Sequence, residues 1–104
     1  MERAPEELTV VRIDPDLADL IPGFLENRRK DITKILTALE QGDNETIRTL
    51  GHSMKGCGSG YGFNAITDLG RALEQAAKEG DTTAIKQQVA ELSSYLDHLD
   101  IYYE

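Results

Sequence analysis

The chain of 104 residues has no tryptophan, one cysteine, two histidines and three prolines. No apolar run approaches the roughly 18 residues a membrane helix needs, so a transmembrane span is not expected. The opening stretch MERAPEELTV lacks an apolar core, which predicts no secretory signal. One cysteine, Cys57, allows no internal disulfide, and with the missing signal this favours a reducing cytoplasm. Positive charge is scarce as well. Eleven basic against nineteen acidic residues leave a formal net charge of -8, which argues against nucleic acid and anionic membrane, both of which select basic surfaces. Two histidines and one cysteine cannot build a His/Cys metal cluster, and the paired Glu-x-x-His motifs of a di-metal bundle are missing.

What is present is helical periodicity in a length that suits one domain. The first pattern opens with Asp14 as N-cap and Pro15 at the first helical position. It carries Leu17, Leu20, Ile21, Phe24, Leu25, Ile32, Ile35, Leu36 and Leu39 on one face, read as core. Pro22 is expected to kink this segment or to divide it into a short and a long piece, and Gly42 to end it. A second helix starts at Asp43 or Asn44 and runs through GHSMKGCGSGYGF. Gly62 and Asn64 mark a stop and a new N-cap. A third helix carries Ile66, Leu69, Leu73 and Ala76. A fourth, capped by Asp81 or Thr82, carries Ile85, Val89, Leu92, Leu96 and Leu99. The expected fold is all-α: an antiparallel, up-and-down four-helix bundle over residues 14–104. Residues 1–13 are read as an N-terminal arm or short extra helix, in which LTVVRI lies extended across the bundle or is loosely ordered.

GHSMKGCGSGYGF holds five of the nine glycines, each costing roughly 0.5–1 kcal/mol in a helix interior. On a helical wheel Ile47, Leu50, Met54 and Tyr61 cluster on one side, with Cys57 at the flank as a small hydrophobe. His52 points away from them, between Arg48, Lys55, Gly56 and Ser59. Lys55, three residues on, can hold a cation near the imidazole. Such a charge favours the neutral, nucleophilic ring and would stabilise an anion attached to it. Gly56, four residues on, removes the side chain that would crowd the ring, so that a partner can approach. Gly58 and Gly60 either thin the surface further or serve close packing. GCGSGYG lacks the Gly-Lys-Ser/Thr order and the preceding strand of a phosphate-cradling loop, so no ATP site is expected. His98 has no such neighbours and reads as an ordinary surface residue. In the run Arg28-Arg29-Lys30, Arg28 falls on the core-facing side, its stem covering the bundle edge.

His52-Ser53-Met54-Lys55-Gly56, followed by small residues and Gly62-Phe63, resembles the His-x-x-Lys-Gly motif of the histidine-containing phosphotransfer (HPt) domain. The resemblance extends from about Asp14 to Leu99. It implies that His52 accepts a phosphoryl group from a receiver-domain aspartate and passes it to another, as a phosphocarrier of a multistep phosphorelay. Lys55 would stabilise the phosphohistidine, and Gly56, with Arg48 and Ser59, would form the docking rim. Cys57 and Gly58 stand where the family often has hydroxyl residues, leaving Ser59 as the nearest hydroxyl. The implied partners are response-regulator receiver domains and a hybrid sensor histidine kinase. No cofactor is expected in this chain, and a divalent metal is expected in the partner receiver. The chain is expected to be a cytoplasmic monomer. The alternative is a helical adaptor that binds a signalling partner through its glycine-lined second helix without chemistry.

Overall fold

The computed structural model describes residues 8–104; the first seven residues of the expected arm lie outside the described residues. Four helices form the bundle: α1 (Ile21–Glu40), α2 (Asn44–Cys57), α3 (Asn64–Glu79) and α4 (Thr82–Asp97). Consecutive helices pack as neighbours and α4 closes against α1. Two short strands, β1 (Thr9–Ile13) and β2 (Leu99–Tyr103), pair in parallel with Thr9 opposite Leu99 and Ile13 opposite Tyr103. All of LTVVRI but Leu8 is therefore a strand, held at its start by the Thr9 N–H donating to the His98 carbonyl at 2.7 Å.

The caps explain the helix starts. Asp43 accepts from the Thr46 N–H at 3.1 Å and Asp81 from the Ala84 N–H at 3.0 Å, each meeting an orphan donor of the first turn. Asp14 does the same for a 3₁₀ turn at Pro15–Leu17. Pro22 produces no kink. It lies in the first turn of α1, where a missing N–H costs nothing, and so divides the segment into a short 3₁₀ piece and a long helix. Gly42, at φ +68°, takes the left-handed conformation that ends α1.

Several expectations are corrected. Asn64 is not a cap: Phe63 holds that position without a side-chain bond, because its ring is fully buried and burial fixes where α3 begins. α2 does not run through the glycine stretch. It ends at Cys57 and tightens into a 3₁₀ turn at Ser59–Tyr61, closed by Gly62 at φ +94°. Tyr61 still reaches the core side and stacks on Phe24 with centroids 4.3 Å apart. Leu99 belongs to β2, since α4 stops two residues earlier. Leu20 and Leu36 are exposed. Leu20 precedes the helix and so lies outside its phase, and Leu36 is about 100° round from the buried Ile35.

The core is apolar and drawn from every helix, with Ile21, Phe24, Ile35, Ile47, Met54, Phe63, Ile66, Leu73, Ile85 and Leu92 buried. The α2–α3 pair is the closest in the bundle. A Cβ on Gly51 would meet the Glu74 nitrogen at 2.7 Å and the Gly70 carbonyl oxygen at 2.9 Å. One on Gly70 would meet the Lys55 nitrogen at 2.5 Å, and one on Gly58 the Thr67 nitrogen at 2.6 Å. Gly51 and Gly58 are therefore packing glycines, while a Cβ on Gly56 or Gly60 meets nothing within 4 Å.

Candidate functional site

α2 presents His52 on the side away from Ile47 and Met54, as its phase requires, and 66 % of the side chain is exposed. The backbone approach at Gly51 and Gly70 brings α3 close enough for Glu74 to reach the imidazole. Glu74 Oε2 lies 2.9 Å from His52 Nδ1, and Glu74 Oε1 lies 2.7 Å from Lys55 Nζ. Only 8 % of the Glu74 side chain is exposed, yet its carboxyl is held down to about 2. The Lys55 hydrogen bond is the largest cause; burial opposes it, and the His52 hydrogen bond and both nearby charges add to it. An ionised carboxylate can only accept, so Nδ1 carries the ring proton. In the neutral ring Nε2 therefore carries the lone pair, and no described residue hydrogen-bonds to it.

Lys55 is thus not the free cation beside the ring that the sequence suggested. Its ammonium is bound to the carboxylate that it shares with His52, because α3 inserts Glu74 between them. Gly56 lies on open surface. Arg48 is held by Glu45, three residues earlier on the same helix, and makes no bond to His52. Ser59 is placed off the α-helical phase by the 3₁₀ turn, where its N–H donates to Thr67 Oγ1 at 2.8 Å. The structure therefore joins His52 and Lys55 through Glu74 and leaves Gly56 open on the same helix, while Arg48 is bonded to Glu45 and Ser59 to Thr67.

Glu74 was missed in the sequence. Its signal was an acid on the core-facing side of α3, four residues after Gly70 and three before Ala77, both of them buried. Arg28 is better packed than expected. Its side chain is 13 % exposed, its guanidinium lies 4.7 Å from the centre of the Phe24 ring, Nε donates to Asp31 Oδ2 at 2.9 Å, and Nη1 donates to Cys57 Sγ at 3.4 Å. His98 donates from Nδ1 to the Ser94 carbonyl at 2.7 Å, an intrahelical contact at the end of α4.

Among the described residues no helix is long and apolar enough to cross a membrane. Comparison with curated proteins and with solved structures gave no match. The family model of the Hpt domain matches residues 19–101, which includes all four helices and the start of β2. Hpt domains carry phosphoryl groups on histidine in two-component phosphorelays and interact with response-regulator receiver domains and kinases. An exposed imidazole on the second helix of a four-helix bundle agrees with that match, and the chain belongs to the Hpt domain family.

Proposed function

We propose that His52 is the phosphoacceptor, and that Nε2 takes a phosphoryl group from the aspartyl phosphate of one receiver domain and delivers it to the aspartate of another. The observation that carries this reading is the bond between Nδ1 and Glu74, which leaves the second ring nitrogen, with its lone pair, directed to an exposed face. Phosphoryl transfer has a loose transition state with charge on the equatorial oxygens, so positioning and charge neutralisation dominate. Lys55 supplies the cation one helical turn away and Gly56 the open approach. Arg48 and Ser59 border the docking surface, and the receiver brings its own divalent metal and acidic pocket. A hybrid sensor kinase feeding the relay, and a cytoplasmic site of action, complete the reading.

The test is incubation with a phosphorylated receiver domain. The wild-type chain should acquire an acid-labile, base-stable phosphate, and His52→Gln should acquire none. The side chain is mostly exposed and the Gln amide can still donate to Glu74, so this variant should unfold within about 1 kcal/mol of wild type. A His52→Gln protein that still takes up phosphate would assign the chemistry to another residue.

A further inference from the structure

Glu74 is more deeply buried than a group whose only task is to orient a surface imidazole needs to be. An amide at that position could accept the same Nδ1–H hydrogen bond. What a carboxylate adds is a full negative charge, kept ionised by Lys55 and largely screened from water by α2 and α3. We infer that the charge of Glu74 keeps the proton on Nδ1 after His52 is phosphorylated, and so makes the phosphohistidine a ready donor. This inference rests on reading His52 as the acceptor at Nε2.

The chemistry follows the electrons. On acceptance, the Nε2 lone pair forms the N–P bond, and the bonding pair of the aspartyl P–O bond leaves with the carboxylate. The ring gains one positive charge and still holds Nδ1–H, now beside the Glu74 carboxylate. On donation, a carboxylate oxygen of the next receiver attacks phosphorus and the N–P pair returns to Nε2. If Nδ1 is still protonated, the ring departs as neutral imidazole; if that proton has been lost, it must depart as an imidazolate anion, a far poorer leaving group. Glu74 therefore favours the protonated, labile form by charge attraction at hydrogen-bond distance.

The other charged groups do not supply this term. Lys55 opposes it, being a cation already engaged by Glu74 Oε1. Arg48, also on α2, is paired with Glu45. On α3, Arg71 is paired with Asp68 at 3.0 Å, and Lys78 lies one turn beyond Glu74 on the exposed side. Among the described residues, Glu74 is the one carboxylate bonded to the ring.

The experiment loads wild type and Glu74→Gln with phosphoramidate, with His52→Gln as the control. It then follows both spontaneous phosphate loss and transfer to a receiver domain from about pH 5 to about pH 9. Glu74→Gln should load, hold its phosphate longer at neutral pH and donate more slowly, by about tenfold for each pH unit by which its profile moves to the acid side. Acidification should restore its donation. If both proteins load and their profiles coincide, or the variant loses phosphate faster, the role of Glu74 is overturned while the acceptor reading stands. If wild type does not load at His52, both fall together. Should Glu74→Gln fold poorly, nitrogen NMR of the phosphorylated wild type decides the matter. An Nδ1 that stays protonated through neutral pH supports the inference, and one already deprotonated there overturns it.

Discussion

Among the described residues two charged side chains are buried, Asp31 on α1 and Glu74 on α3, and they are nearly equally hidden from water. Their protonation is nevertheless pulled in opposite directions. Asp31 is raised from its ordinary value, because the cost of burial exceeds what Arg28 returns through its charge and hydrogen bond, with a smaller contribution from Lys34. Glu74 is held down to about 2, because both of its oxygens are bonded, one to Lys55 and one to His52. The Arg28–Asp31 pair belongs to one helix and closes on itself, its guanidinium spread over Phe24 and against Cys57. The Glu74 cluster joins two helices and ends at an exposed ring. Burial therefore does not by itself give a carboxylate its role. The number of donors and their access to solvent separate a packing pair from a reactive site.

The comparison can be broken most strongly at the helix approach. Gly51→Ala places a methyl against the α3 backbone at 2.7 and 2.9 Å. It should destabilise the protein by about 3 kcal/mol, since overpacking outweighs the gain in helix propensity. The same variant should withdraw Glu74 from His52 and leave Arg28–Asp31 intact. Gly56→Ala, on open surface, should be neutral or stabilising by up to about 1 kcal/mol. Urea midpoints of the two variants check this, and equal midpoints would show that the α2–α3 spacing tolerates a methyl.

A smaller effect sharpens the contrast from the other side. Asp31→Asn removes the counter-charge of a largely buried guanidinium and should cost about 1–2 kcal/mol, while phosphoryl uptake at His52 proceeds at the wild-type rate. The double variant Arg28→Met, Asp31→Leu should recover most of that loss, because apolar packing replaces a pair that burial disfavours. Denaturation and uptake measured together test both statements. Impaired uptake in Asp31→Asn would bring Asp31 into the functional site.

The smallest effect is in pH, where the two acids should act with opposite sign. Glu74 is depressed from an ordinary 4.5 to about 2. Its contribution is present above 4.5 and fades as the pH falls through that interval, so the stability gap between wild type and Glu74→Gln should narrow on acidification. Asp31 is raised, so its folded form prefers the proton and the stability tied to its shift is lost as pH rises through the raised value. The gap between wild type and Asp31→Asn should therefore widen on acidification. Denaturant titrations at neutral and acid pH read both gaps; two gaps moving the same way would show that the carboxylates share one electrostatic environment.

Much of this architecture is carried by local signals. Apolar spacing, the caps Asp43 and Asp81, the early Pro22 and the terminal Gly42 place four helices and point His52 outward, because each depends on residues within a few positions of one another. Lys55 and Gly56 were legible as neighbours of the ring for the same reason. The divided role of the glycines was not. Whether a glycine yields surface or admits another backbone depends on what lies opposite, and only α3 could show that Gly51 and Gly58 serve packing while Gly56 stays open. The parallel pairing of β1 with β2 joins residues some ninety positions apart, and the regular spacing of α4 concealed it by carrying the helical pattern on to Leu99. Glu74 was hidden in the same way. As a residue of α3 it is one acid among nineteen, and it becomes the partner of His52 and Lys55 only through the glycine contact that brings two helix backbones together. The sequence by itself determined the helices and the exposed histidine, since these follow from short-range periodicity. The tertiary structure alone decided which carboxylate meets that histidine, because hydrogen bonding across helices depends on interhelical distance, which no local pattern encodes.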